Sequence, residues 1–170
     1  IMKIYINFGF DNFIIAAGYK KNIIEQYFKN FSKNGEIFDQ VLFKKKCFIN
    51  IVDTGKSSMT GGRLKRIKKF IKKDENFMFT YGDGVSNINL SKLEKFHLKN
   101  EKIVTVTAVR PPARFGELTM KGSIVTKFTE KPQVSEGWIN GGFFVASEKI
   151  FNFIKNDKTI LEKETLKKLA

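Results

Sequence analysis

At 170 residues and 42% hydrophobic, the chain is long enough to bury a core and too apolar for disorder, so one domain is expected. No apolar run approaches the ~20 residues that span a bilayer and no signal segment opens the chain, and with Cys47 as the only cysteine neither an intrachain disulfide nor a cysteine-rich zinc site is possible; a soluble protein in a reducing cytoplasm fits. The formal charge of +14 points to a polyanionic partner, but the excess is mostly scattered lysine, which suits a solvated face better than a nucleic-acid stripe.

Ile1, Ile4, Tyr5 and Phe8 recur at helical spacing up to a turn at Gly9, so the chain reads as opening inside a domain, on the tail of a helix. FIIAAG (13–18) reads as a buried strand, followed by a helix with Ile23, Ile24, Tyr27, Phe28 and Phe31 on one face. CFINIV (47–52) is a second strand, and Leu64, Ile67, Phe70 and Ile71 stripe the next helix. FMFTY (77–81) is a third buried strand, a helix follows over 90–99, and KIVTVTAV (102–109) is a fourth strand. Residues 117–130 read as a hairpin turning at Lys121-Gly122, 141–147 as a further strand, and 148–154 and 161–169 as helices. Strand and helix alternate, the pattern of an α/β domain with a parallel sheet.

Such a sheet binds ligands at the carboxyl ends of its strands, which directs attention to the loops at 53–62, 82–86, 110–116 and 130–142. DTGKSSMTGGRLKR (53–66) is rich in glycine and hydroxyls and opens a helix; its backbone N–H groups can meet an anion or a base edge, or Thr60 can simply cap the helix from Gly61 onward. The spacing matches neither a phosphate loop nor a dinucleotide fingerprint. Gly82-Asp83-Gly84 ends a strand in a lone carboxylate with no bulk beside it, the beginning of a metal site or of an ordinary turn. RPPARFGEL (110–118) displays two arginines beside Phe115-Gly116, TEKPQ (129–133) sets Glu130 beside Lys131, and WINGGFF (138–144) places Asn140 before two glycines. Each of these three is also a common loop pattern. His97 lies in a lysine-rich helix with no second histidine and reads as a surface residue.

In their order along the chain, VDTGKSSMTGGRLKR, FMFTYGDGV, VTAVRPPARFGEL, FTEKP and WINGGFFV closely resemble the sugar-phosphate nucleotidyltransferases, with SSMTGGRLKR and INGGFF closest to the cytidylyl branch. The resemblance implies a three-layer, Rossmann-like α/β fold with a mostly parallel central sheet, here a single partial domain over 1–170, incomplete at both ends. It implies transfer of CMP from CTP to glucose 1-phosphate, giving CDP-glucose and pyrophosphate, with Mg²⁺ as cofactor and Asp83 as its ligand. By the same resemblance Thr60, Gly61, Gly62, Arg63 and Gly82 lie by the nucleotide. Phe115, Gly116, Glu130, Lys131, Asn140 and Gly141 hold the sugar phosphate, with Asp83 and Lys131 the catalytic pair and Lys131 neutralising the phosphate. The family's glycine-rich N-terminal strand and loop would precede Ile1, and a segment with a second metal aspartate and subunit contacts would follow Ala170. The chain alone is therefore expected to bare apolar strand edges and to be nearly silent, the complete protein to be a homo-oligomer. A basic nucleic-acid-binding domain and a uridylyl- or thymidylyltransferase of the same fold are the competing readings.

Overall fold

The computed structural model describes residues 1–29, 32–33, 36–38, 46–73, 75–111, 115–130 and 137–170. In chain order its elements are α1 (Met2–Asn7), β1 (Asn12–Ala17), α2 (Lys21–Lys29), β2 (Ser32–Lys33), β3 (Glu36–Phe38), β4 (Lys46–Asp53), α3 (Thr60–Arg66), β5 (Asn76–Thr80), α4 (Leu90–Asn100), β6 (Val104–Val109), β7 (Glu117–Lys121), β8 (Ile124–Thr129), β9 (Ile139–Ser147) and α5 (Lys167–Leu169). Tight 3₁₀ turns cover Lys68–Phe70 and Glu148–Phe153, and a wide π-type helix covers Leu161–Leu166.

β1 and β4 form a parallel ladder, from Asn12 opposite Phe48 to Ala17 opposite Asp53. The other ladders among the described residues are antiparallel, so the α/β fold carries a smaller parallel share than the resemblance implies. The reason is local. Parallel pairing needs a long crossover, whereas β6 ends at the rim where the β7–β8 hairpin sits, and β9 starts from that rim, with Ile139 opposite Val109. β9 therefore runs back between β5 and β6, in the sheet order β5-β9-β6.

That central position explains the run Phe143–Ala146, at 0–2% exposed: a strand covered on both faces is continuously apolar. Phe144 stacks on Phe79 at 4.5 Å between ring centroids, and Phe143 packs with Tyr5 and Leu90. The main core joins Val52, Leu64, Ile67, Ala146, Ile150, Phe151, Ile154 and Leu161, so β4, α3, β9 and the C-terminal turns share one interior. β1 pairs only with β4 and β5 only with β9 among the described strands. Both line a 680 Å³ cleft with Ile14, Ala16, Phe77 and Phe79, and its polar mouth holds Thr60, Arg63, Tyr81 and Gly82.

Several expectations shift. α2 buries no residue, and Ile23 and Tyr27 are 54% and 49% exposed; among the described residues Phe28 of its stripe joins a core, against Ile6 and Cys47, while Phe31 lies outside them. α3 stops at Arg66 and tightens to 3₁₀ geometry, so Leu64 and Ile67 are buried but Phe70 swings half out. The hairpin turns one residue later, at Gly122-Ser123, because a two-residue loop needs positive φ at its first position and Gly122 adopts +63°.

His97 is a buried residue, 2% exposed, and not a surface one. Leu90, Leu93 and His97 recur on the inner face of α4 while Lys92, Lys95 and Lys99 face outward, so periodicity decides where composition misleads. Its Nδ1 lies 2.8 Å from the Thr105 hydroxyl, and burial holds the imidazole below the ordinary histidine range. The folded state thus favours neutral His97, and the unfolded chain binds the extra proton. This stability is present above about pH 6.5 and lost as pH falls below it. Urea midpoints measured from pH 7.5 down to 5 should fall, and the fall should shrink in His97→Gln.

Candidate active site

The loop after β4 folds onto the chain's own C-terminal part. Met59 is the N-cap of α3 and Thr60 its first helical residue. The N–H of Met59 donates to the Asp157 carbonyl at 2.9 Å, and those of Gly61 and Gly62 to the Thr159 carbonyl at 3.0 and 3.3 Å. A Cβ at Gly62 would stand 2.2 Å from the Asp157 carbonyl oxygen, and one at Gly61 2.8 Å from that of Thr159. The two glycines are buried and admit backbone from the same chain, and their N–H groups are already donating. The helix start is therefore not an open anion cradle. Arg66 adds a two-pronged ion pair to Asp157, with Nε donating at 2.9 Å, and the Lys65 ammonium donates to the Ile154 and Lys155 carbonyls.

Thr60 does not cap its own helix. Its hydroxyl accepts from the Leu161 N–H at 2.9 Å, capping the remote helical segment at Leu161–Leu166, and donates to Glu162 Oε2 at 2.9 Å. Arg63 Nη1 donates to the Thr54 hydroxyl at 2.8 Å and the Gly55 carbonyl at 3.2 Å, and its guanidinium lies so close over Gly18 that a Cβ there would meet Nη1 at 2.1 Å. Thr60 and Arg63 both border the cleft mouth.

The end of β5 faces them. Tyr81 Oη donates to Glu162 Oε1 at 2.5 Å and accepts from Asn140 Nδ2 at 3.1 Å. Burial, then the Glu162 hydrogen bond, push the phenol up to about 12, so it keeps its proton at neutral pH. The ring rests over Gly142, whose φ of +79° and 3.0 Å clearance from a would-be Cβ leave room for no side chain. Asn140 Oδ1 accepts from the Gly142 N–H at 2.8 Å, which fixes the amide's orientation. Gly141 begins the buried part of β9, where a Cβ would come within 2.9 Å of Val109.

Beyond Tyr81, Gly82 and Asp83 form an exposed turn, and would-be Cβ atoms at Gly82 and Gly84 meet nothing within 4 Å. These glycines, unlike Gly61 and Gly62, open onto free space around a carboxylate. Among the described residues no three His, Cys, Asp or Glu side chains converge on a metal site. A single carboxylate suits a hard cation that takes its remaining ligands from water and a bound phosphate chain.

Phe115, Gly116 and Glu130 gather at the root of the β7–β8 hairpin: a Cβ on Gly116 would meet the Phe128 ring at 2.6 Å and Glu130 Oε2 at 3.3 Å. Phe115 is 81% exposed, while Trp138 lies beside Arg110, its ring centroid 4.6 Å from Cζ. Lys131 and Arg114 lie outside the described residues. The structure therefore unites Thr60, Arg63, Gly82, Asp83, Asn140 and Gly141 around one rim, with the Phe115–Glu130 group on the adjoining hairpin. Tyr81 and Glu162 were not among the residues picked from the sequence. Tyr81 adjoins the Gly-Asp-Gly turn, a usable signal, whereas Glu162 in a charged helical stretch carries none.

A family model described as nucleotidyl transferase matches residues 1–169. The chain belongs to the nucleotidyl transferase family. Among curated relatives, the glucose-1-phosphate cytidylyltransferase of Salmonella typhimurium is 42% identical over 180 aligned residues, covering all of this chain and 70% of the relative. The probable glucose-1-phosphate cytidylyltransferase of Bacillus subtilis is 39% identical with the same coverage. Among solved structures, HddC from Yersinia pseudotuberculosis complexed with GMP-PN superposes with a TM-score of 0.69 at 22% identity, over 99% of this chain and 70% of that one. An apo UDP-glucose pyrophosphorylase gives 0.60 at 15% identity, over 98% and 71%. These two likenesses show the nucleotidyltransferase fold.

Substitutions at two positions probe how tightly this family member's site is seated. Gly62→Ala should cost roughly 2–4 kcal/mol in urea unfolding, since the Asp157 backbone cannot retreat as a side chain would. Thr60→Val should cost about 1 kcal/mol and Thr60→Ser much less, because the hydroxyl alone supplies the bonds to the Leu161 N–H and to Glu162.

Proposed function

We propose that the protein carrying this chain transfers CMP from CTP to α-D-glucose 1-phosphate, giving CDP-glucose and pyrophosphate. The observation that carries this reading is the exposed Asp83, set between two glycines with open space around them at the rim that also presents Thr60 and Asn140. Identity of 39–42% across the chain to proteins named for this activity supports the choice of substrates.

The acceptor is already an anion, so no general base has to activate it. What the reaction needs is alignment of a phosphate oxygen with the α-phosphorus and relief of charge repulsion. Asp83 would hold Mg²⁺, whose contribution when bound is to neutralise the phosphate chain. Thr60, Arg63 and Gly82 border the nucleotide, with Gly61 and Gly62 seating the helix beneath them. Asn140 holds the sugar through the amide N–H left over from its bond to Tyr81, with Gly141 and Gly116 seating β9 and the hairpin root close behind it. Phe115 offers a flat apolar face, Glu130 accepts from sugar hydroxyls, and Lys131 neutralises the sugar phosphate. Arg63 serves from a fixed position, since its Nη1 is held by the 54–55 loop.

Pyrophosphate release by the protein carrying this chain, with glucose 1-phosphate, Mg²⁺ and either CTP, UTP or dTTP, tests the reading. CTP should be preferred at least tenfold, and Asp83→Asn should lower Mg²⁺-dependent turnover by about 10²-fold or more. Asp83→Asn activity within a few-fold of wild type removes Asp83 from the metal site. Equal use of UTP or dTTP overturns the cytidylyl assignment, and salt-steep DNA binding indifferent to CTP favours the nucleic-acid reading.

A further inference from the structure

The two halves of the rim share one carboxylate. Glu162 Oε2 accepts from Thr60, on the side proposed for the nucleotide, and Oε1 accepts from Tyr81, whose oxygen receives the Asn140 amide on the side proposed for the sugar. The directions of these bonds leave little freedom. Thr60 already accepts the Leu161 N–H, so its proton points to Glu162; an ionised carboxylate only accepts, so the phenol proton also points to Glu162. The phenol lone pair is then left for Asn140 Nδ2, while Gly142 N–H takes Asn140 Oδ1. Rotating any one member breaks a bond at its neighbour.

We infer that Glu162, acting through Tyr81 and Thr60, is a positioning residue for both substrates, a single half-buried carboxylate that orients the sugar-side amide and the nucleotide-side hydroxyl together. This rests on the transferase reading above and adds to it a link between the two subsites. The link carries no proton and touches no reacting atom. It sets geometry: a change at Thr60 reaches Asn140 through three hydrogen bonds, and a donor placed wrongly by even a fraction of an ångström loses much of its strength. Hydrogen bonds chained in this way strengthen one another, so removing a middle member should weaken both ends. Tyr81 stays protonated through neutral pH, which keeps the chain of donors intact across the assay range.

The test is calorimetric titration of the protein with CTP in Mg²⁺, and separately with glucose 1-phosphate, for wild type, Tyr81→Phe, Glu162→Gln and the double variant, with melting temperatures recorded alongside. Tyr81→Phe deletes one oxygen and keeps the ring on Gly142; Glu162→Gln keeps size and removes one accepting position. Each single variant should weaken glucose 1-phosphate about tenfold and CTP about threefold, the loss of roughly one hydrogen bond's worth of positioning. The double variant should bind each ligand about as the worse single does, since both changes cut one chain. Variants that melt lower yet bind both ligands like wild type overturn the inference and leave Glu162 a stabilising contact. Losses that multiply in the double variant also overturn it, because the two residues then act separately. Wild type that binds neither ligand overturns the transferase reading and this inference with it, whereas wild-type binding with unmoved variants overturns the bridge alone.

Discussion

The seat of α3 on the backbone of residues 157–161 is the constraint on which the rest of the rim depends. Two glycines without Cβ atoms let helix and segment approach to carbonyl contact, and three helix-start N–H groups then find their acceptors in Asp157 and Thr159. A helix start buried without partners would be costly, so this pairing is what allows Gly61 and Gly62 to be buried at all. It also brings residues about a hundred positions apart in sequence, Thr60 and Glu162, into hydrogen-bond contact. Leu64 and Leu161 follow into the shared core, so the polar seat and the apolar packing reinforce each other.

From that seat the geometry propagates to β5 and β9. Glu162 reaches Tyr81, Tyr81 lies over Gly142, and Gly142 together with Tyr81 orients Asn140. Antiparallel insertion of β9 is what makes this possible, because it starts β9 at the rim where β5 ends, with Phe143 opposite Thr80. Had β9 run parallel to β5, its first residues would lie at the far edge of the sheet. The fold therefore assembles the rim from three separate stretches, at 60–63, 81–83 and 140–142, and joins them through one carboxylate.

Glycine serves two purposes here, and the space beside each separates them. At Gly61, Gly62 and Gly142 a side chain would strike the protein itself, so these positions are required for folding. At Gly82 and Gly84 a side chain would meet open space, so their smallness has no packing purpose and leaves Asp83 approachable. The same comparison places Gly116 with the first group, against Phe128. A motif that is glycine-rich throughout thus divides into structural and ligand-facing parts only when its surroundings are known.

Local pattern alone was enough to locate β1, β4, β5, β6, the hairpin and α4 within a residue or two, because alternation and helical spacing record which side chains face inward. It singled out Gly82-Asp83-Gly84 and Asn140 as places a ligand could approach, but did not separate a site there from an ordinary turn. Only the tertiary structure decided that Gly61 and Gly62 face Asp157 and Thr159, that Thr60 caps a helix remote from its own, and that β9 runs antiparallel. His97 shows the boundary within a single helix: its lysine neighbours suggested solvent, its spacing from Leu90 and Leu93 pointed inward, and burial followed the spacing. Glu162 shows the limit itself. A carboxylate in a charged helical stretch acquires its partners solely from contacts between distant parts of the chain, and no local pattern encodes which distant residue will arrive.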